Sequence, residues 1–169
     1  MLTKIKLAGV VKESIVDGPG LRFTIFVQGC TRRCTGCHNP QSWDHDGGYW
    51  GSAELIIDEV KKNPTLAGIT FTGGEPFEQA KQLAHLAKLA HENGLNIVTY
   101  TGYTFEELMD GFQKNPGWEE LMMLTDYLVD GPFIQEQKSL NLKFRGSRNQ
   151  RFIDVKQTFV KNAVVEAKL

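Results

Sequence analysis

The chain has 169 residues, a net charge of −1, 41% hydrophobic and 23% charged residues, the composition of a soluble globular domain large enough for a real hydrophobic core. That balance gives no general attraction to nucleic acid or to an anionic membrane, and there is no run of about 18 apolar residues to predict a transmembrane span. The opening residues, Met1 to Lys6, lack the apolar core and cleavage site of a signal peptide, so a cytoplasmic protein is expected. One domain over 1–169 is expected, its core roughly 15–155 and a C-terminal tail over 156–169.

In chain order, Leu21 to Gln28 alternates apolar and polar residues rich in β-branched and aromatic types, and predicts a strand. A loop with Gly29 and Gly36 follows. Ser52 is the expected N-cap of a helix ending near Lys62, before Pro64. Gly68 to Thr72 predicts a short strand running into Gly73-Gly74-Glu75-Pro76. Ala80, Leu83, Ala84, Ala87 and Ala90 recur at helical spacing from Phe77 to about Asn93, with Gly94 as the stop. Leu95 to Thr101 predicts the next strand. Thr104 and Glu107 form a capping box for a short helix, Trp118 to Leu124 another helix, and Asp126 to Val129 a strand ending at Asp130-Gly131-Pro132. Arg151 to Val155 predicts a last strand, and Gln157 to Leu169 gives no clear pattern.

Strands alternating with helices imply βα units and a mostly parallel sheet. A closed eight-stranded barrel needs about 200–250 residues or more, so an α/β fold with a partial, open βα barrel is expected. In such sheets sites form at the carboxyl ends of the strands. The loop after the first predicted strand, Gly73-Gly74-Glu75-Pro76 and Asp130-Gly131 all fall there.

The first of those loops carries the chemistry. Cys30, Cys34 and Cys37 are the only cysteines, within the eight residues Cys30-Thr-Arg-Arg-Cys34-Thr-Gly-Cys37. An odd, clustered set argues for a reducing compartment and against a disulfide framework. Three thiolates are one short of a closed structural zinc site or a fully ligated iron–sulfur cluster. They suit a four-iron cluster with one iron left open. The competing reading is zinc with His38 or His45 as fourth ligand; adjacency to Cys37 strains the first, while His45 stays open.

Cys-x3-Cys-x2-Cys closely resembles the cluster motif of the radical S-adenosylmethionine superfamily. Gly73-Gly74-Glu75-Pro76 resembles its second signature, which binds the amino group of S-adenosylmethionine. Two glycines allow close backbone approach, and oxygen acceptors suit an ammonium. Asp17-Gly-Pro-Gly-Leu-Arg22 and Cys37-His-Asn-Pro-x-x-Trp43 look like the activating enzymes of glycyl-radical proteins. Gly36, Thr101-Gly-Tyr103, Leu128-Val-Asp-Gly-Pro-Phe133 and Phe144-Arg-Gly-Ser-Arg-Asn-Gln150 resemble the family of anaerobic ribonucleoside-triphosphate reductase-activating proteins. The resemblance runs from roughly Ile15 to Gln150.

The resemblance implies a radical S-adenosylmethionine fold and two cofactors, a [4Fe–4S] cluster on Cys30, Cys34 and Cys37 and S-adenosylmethionine. The latter would lie against Gly36, Cys37, His38, Gly73, Gly74 and Glu75. It implies that one electron cleaves the sulfonium to methionine and a 5′-deoxyadenosyl radical, which abstracts hydrogen from a glycine of the reductase. No catalytic side chain is named beyond the cluster ligands. A flavodoxin-like electron donor is expected, and no nucleic-acid or membrane partner. Activation of pyruvate formate-lyase or another glycyl-radical enzyme is the nearest alternative. Small-molecule chemistry of the short carboxy-deazaguanine synthases, and a zinc-binding interaction module, are more distant ones.

Other residues carry two readings each. Asp130 and Thr101 are site residues or strand-end anchors. Arg145, Arg148 and Arg151 pair with a carboxylate or form a solvated basic turn. Trp43, Trp50 and Tyr103 read as packing residues. Eight acidic residues against one lysine from Thr104 to Gln137, then six basic against Asp154 from Lys143 to Lys161, are solvated faces or a docking surface.

Overall fold

A computed structural model describes residues 2–169. Its strands are β1 (Lys4–Ser14), β2 (Arg22–Val27), β3 (Tyr49–Ser52), β4 (Gly68–Gly73), β5 (Asn96–Tyr100), β6 (Tyr127–Asp130) and β7 (Arg151–Asp154). Its α-helices are α1 (Ala53–Lys61), α2 (Ala80–Glu92), α3 (Phe105–Gly111), α4 (Trp118–Leu124) and α5 (Val155–Lys161).

All seven strands form one sheet in the order β3-β1-β2-β4-β5-β6-β7. Strands β2, β4, β5 and β6 pair in parallel. β1 is antiparallel to both β2 and β3, and β7 is antiparallel to β6. Five strands therefore point one way, with β1 and β7 against them. The end strands β3 and β7 do not pair with each other, so the sheet is open, as the chain length implies.

Ile25, Phe71, Ile97 and Leu128, one from each parallel strand, are completely buried. Near-continuous apolar burial is what a parallel sheet covered by helices requires. Helix α1 starts because the Ser52 hydroxyl accepts from the Leu55 amide at 3.2 Å, and it buries Ala53, Ile56, Ile57 and Val60 on one stripe. Helix α2 buries Ala80, Leu83, Ala84, Leu86, Ala87 and Ala90, and packs against α1, α4 and strands β4 and β5. It stops at Gly94, whose φ of 74° is easy only for glycine. The expected capping box is formed in full: Thr104 Oγ1 accepts from the Glu107 amide, and Glu107 accepts from the Thr104 amide.

Three expectations need correction. The strand at Leu21 to Gln28 is the second strand, because Lys4–Ser14 and Tyr49–Ser52 form β1 and β3 beside it. The helix expected from Phe77 begins at Ala80, after a 3-10 turn over Pro76–Gln79. The expected core limits of 15–155 are too narrow at both ends. Ile5 and Leu7 are buried. After α5 the tail returns to β7, with the Asp154 amide donating to the Val165 carbonyl at 2.8 Å and the Ala167 amide to that of Phe152 at 2.8 Å.

Near the amino ends of the parallel strands, on the first residue of β2, lies a buried guanidinium. Arg22 is fully buried and donates to Thr70 Oγ1 at 2.7 Å and to the carbonyls of Pro19 at 2.8 Å, Ile69 at 3.0 Å and Asn96 at 3.3 Å. Burial lowers its pKa to about 10. These bonds tie the Asp17-Gly18-Pro19-Gly20 loop to β4 and β5, the strands that carry the site.

Candidate active site

The four parallel strands release the chain at one rim. β2 runs into Gly29-Cys30, β4 into Gly74-Glu75, β5 into Thr101-Gly102, and β6 into Gly131. Residues from all four exits line a cavity of about 120 Å3, with Cys30, Cys34, Cys37, Arg32, Thr72, Tyr100, Phe133 and Gln150. A larger cavity of about 320 Å3 adjoins it through Cys37, Thr72, Tyr100, Phe133 and Gln150. Its far wall includes Val16, Asp17, His38, Leu142, Phe144 and Arg145.

The cysteine loop is closed by its own ends. The Gly29 amide donates to the Ser42 carbonyl at 2.6 Å and that of Cys30 to Trp43 at 3.1 Å. Gln28 Nε2 donates to the Gln41 and Asp44 carbonyls at 3.1 and 2.6 Å. Within the loop, Cys34 to Cys37 is a turn in which the Cys37 amide donates to the Cys34 carbonyl at 3.1 Å, and Gly36 supplies φ of 77°. A Cβ on Gly36 would run into the Gln135 side chain. The Asn39 amide donates to Cys37 Sγ at 3.4 Å.

All three cysteines are free thiols of intermediate exposure, and burial raises the pKa of Cys30. Among the described residues no three His, Cys, Asp or Glu side chains gather around one point as a single ion demands. A four-iron cluster takes each thiolate on a different iron, so spaced donors on one loop fit it. His45 of the zinc alternative is engaged elsewhere, its Nε2 being 2.7 Å from Glu78 Oε1. His38 stacks at a tilt on Phe133, with ring centroids 5.2 Å apart.

The Gly-Gly-Glu-Pro turn is fixed by its neighbours. A Cβ on Gly73 would sit 2.6–2.8 Å from the backbone of Phe26 and Val27, and one on Gly74 would meet the Gly29 carbonyl. Both glycines are thus required by the crossing of β4 past the start of the cysteine loop. The Gly74 amide donates to the Val27 carbonyl at 2.7 Å and the Glu75 amide to that of Gly29 at 2.8 Å.

Glu75 is 1% exposed. Its carboxylate accepts from Thr101 Oγ1 at 2.8 Å, the Gly102 amide at 2.8 Å and the Phe77 amide at 3.1 Å. Desolvation raises its pKa to about 7 against those donors. The group therefore locks the exits of β4 and β5 together, which gives Thr101 its strand-end role.

Asp130, 1% exposed, accepts from the Phe105 amide at 2.8 Å and from Arg151 Nε at 3.1 Å and Nη2 at 2.5 Å. It holds the first turn of α3 to the end of β6. Arg151 also reaches Glu106 at 2.6 Å, so the acidic and basic segments are partly joined to each other. Of the three arginines, Arg145 lines the larger cavity, and Arg148 is exposed. Tyr103 and Trp118 pack together at 5.0 Å between centroids.

Several lining residues had no individual assignment from sequence: Arg32, Thr72, Tyr100, Phe133 and Gln150. Phe133 and Gln150 lie within the motif words Leu128–Phe133 and Phe144–Gln150. Gln150 Nε2 donates to the Gly131 carbonyl at 3.0 Å and Asn149 Nδ2 to that of Pro132 at 2.8 Å. Tyr100 Oη donates to the Phe144 carbonyl at 2.6 Å. The two words are sewn together across the cleft.

Comparison with known proteins settles what this rim belongs to. Residues 16–153 match a family described as 4Fe-4S single cluster domain. The anaerobic ribonucleoside-triphosphate reductase-activating protein of Vibrio cholerae is 37% identical over 80% of this chain and 89% of its own length. That of Escherichia coli strain K12 is 33% identical over 80% of this chain and 90% of its own. This chain belongs to the family of these activating proteins. It accordingly carries the 4Fe-4S cluster domain of an activating protein. The pyruvate formate-lyase-activating enzyme of Clostridium pasteurianum is 34% identical over 73% of this chain and 50% of its own length. Among solved structures, QueE from Escherichia coli overlaps partly, with a TM-score of 0.47 and 20% identity over 60% of this chain and 53% of that one. Among the described residues no helix is long and apolar enough to cross a membrane.

Proposed function

We propose that the chain activates an anaerobic ribonucleoside-triphosphate reductase by generating a radical on a glycine Cα of that protein. The observation that supports it most is the convergence of all four parallel strand exits on the three cysteines and the Gly73-Gly74-Glu75 turn. Cys30, Cys34 and Cys37 are proposed as the protein ligands of the cluster. Bound there, it supplies the electron that cleaves S-adenosylmethionine to methionine and the 5′-deoxyadenosyl radical that takes the glycine hydrogen atom.

The residues of the chain bind, orient and shield. Backbone around Gly36, Cys37 and His38 and around Gly73 and Gly74 offers close approach and carbonyl acceptors. Glu75, engaged by three protein donors, sets the position of those acceptors and has room to accept from an ammonium, since a carboxylate offers about four acceptor sites. Tyr100, Phe133 and Phe144 provide apolar walls that keep water from the reacting centre. Hydrogen-atom transfer needs no proton acceptor, so no acid–base residue is assigned. The larger cavity is the proposed entrance for the glycine-bearing segment, which would complete the enclosure. A flavodoxin-like one-electron donor and a cytoplasmic location are part of the same reading.

The test mixes anaerobically reduced, iron-loaded protein with S-adenosylmethionine and each of two candidates, the reductase and pyruvate formate-lyase. A glycyl-radical doublet in electron paramagnetic resonance with the reductase alone supports the proposal. A doublet only with pyruvate formate-lyase replaces the substrate.

A further inference from the structure

Arg32 sits between the first two cysteines, and its side chain folds back over the exit of β5. The guanidinium carbon lies 4.9 Å from the centroid of the Tyr103 ring, within the range of a cation–π contact. The stem presses on Gly102, where a Cβ would come within 2.7 Å of Arg32 Nε. The side chain is thereby held from two sides. It lines the cavity shared by the three cysteines and Glu75.

Arg32 Nε is sealed from solvent and has no hydrogen-bond acceptor among the described residues. Folded proteins rarely leave a buried donor unmet unless something else is meant to reach it. Arg32 makes no ion pair among the described residues, and the nearest buried carboxylate, Glu75, is already engaged by Thr101, Gly102 and Phe77. What the cavity is built to receive is rich in acceptors: three thiolates and a sulfide-bridged cluster. Hydrogen bonds to cluster sulfurs, and charge nearby, set the reduction potential of such groups.

We infer that Arg32 is a positioning residue for the cluster: its Nε–H donates to a cluster sulfur and its charge favours the reduced state. This rests on the reading that Cys30, Cys34 and Cys37 hold a [4Fe–4S] group. The step concerned is one-electron reduction of the 2+ cluster to the 1+ cluster by an external low-potential donor. No proton moves and no bond breaks. The added negative charge is what Arg32 stabilises. Arg33 is its built-in control, an exposed arginine on the same loop whose charge is screened by solvent.

The experiment is potentiometric titration of the iron-loaded protein with dithionite, without S-adenosylmethionine, read by electron paramagnetic resonance. Iron content is measured on each sample. Arg32→Gln is expected to hold its iron and to be harder to reduce by roughly tenfold in the equilibrium, about 59 mV for one electron. Arg33→Gln is expected to shift by less than half as much. Arg32→Lys, which keeps charge but loses the Nε donor, is expected between Arg32→Gln and the wild type. Equal midpoints for Arg32→Gln and the wild type, or equal shifts in both glutamine variants, overturn the inference. Should Arg32→Gln lose iron, an unshifted Arg32→Lys overturns it instead. Failure of the wild type to take up iron overturns the cluster reading itself, a distinguishable result.

Discussion

Replacing Glu75 by glutamine isolates the buried carboxylate that locks the site, and the effect can be worked out from its three donors. The Gly102 amide uses one oxygen, and the Phe77 amide with the Thr101 hydroxyl uses the other. A glutamine offers one oxygen, so one of the two backbone amides must face an NH2 group, at a cost of about 1–3 kcal/mol. Ionisation works in the other direction. The folded pKa is raised from 4.5 to about 7. Between those values the folded chain binds a proton that the unfolded chain has released, so stability falls as pH rises. It is fully present below the unfolded pKa and lost as pH passes through the folded one. At 1.36 kcal/mol per pH unit, the interval from 4.5 to about 7 amounts to ~3 kcal/mol. Glutamine cannot ionise and lacks this slope. The assay is urea unfolding of the metal-free, thiol-reduced chain at a series of pH values, followed by tryptophan fluorescence. Other carboxylates are common to both proteins and cancel in the difference. The stability of the wild type minus that of Glu75→Gln is expected to fall by ~3 kcal/mol from pH 4.5 to 7.5, closing or reversing the difference. Parallel curves across that window would refute the reasoning.

Three further outcomes follow from the same geometry. Gly74→Ala places a Cβ against the Gly29 and Val27 backbone. Overpacking of about 1–3 kcal/mol, at roughly 2–4 °C per kcal/mol, should lower the melting temperature by several degrees. Gly9→Ala, which meets nothing within 4 Å, should stay near the wild type. Arg151→Met strips the cation from buried Asp130 and should destabilise by about 3–5 kcal/mol in the same unfolding assay; a loss below ~1 kcal/mol would show that the backbone amides of Phe105 and Arg151 suffice to hold Asp130. Cys34→Ala should abolish both the brown iron chromophore and activity after anaerobic reconstitution, and retention of either would remove the cysteine from the ligand set.

How much of this was legible in the sequence depends on where the signal lies. The cysteine loop, the Gly-Gly-Glu-Pro turn and Asp130-Gly131 were legible as strand-end features because each strand is short, apolar and followed by glycine, and the four exits do meet. Helix starts at Ser52 and Thr104 were readable because capping is local. Strand β1 was missed although Lys4-Ile5-Lys6-Leu7 alternates correctly; its later residues are largely exposed and its mid-strand Gly9 obscures the pattern. The role of Glu75 as a lock was not legible, since its partners are 26 and 27 residues away. The same holds for Arg22, whose partners come from β4, β5 and its own preceding loop, and for Arg32, whose stacking on Tyr103 depends on the fold of a loop without periodicity. Long-range side-chain pairing leaves no local trace, which is why the motif words were recognisable before their reason was.

The central claim is hydrogen-atom abstraction from a glycine of the reductase by way of the three-cysteine site, and isotope transfer tests it most directly. The reductase is prepared with Cα-deuterated glycine and mixed anaerobically with the reduced, iron-loaded protein and S-adenosylmethionine. Deuterium should appear in the 5′-deoxyadenosine released, in step with a collapsed glycyl-radical doublet. Release of 5′-deoxyadenosine free of deuterium, with no glycyl radical on the reductase, would contradict the account.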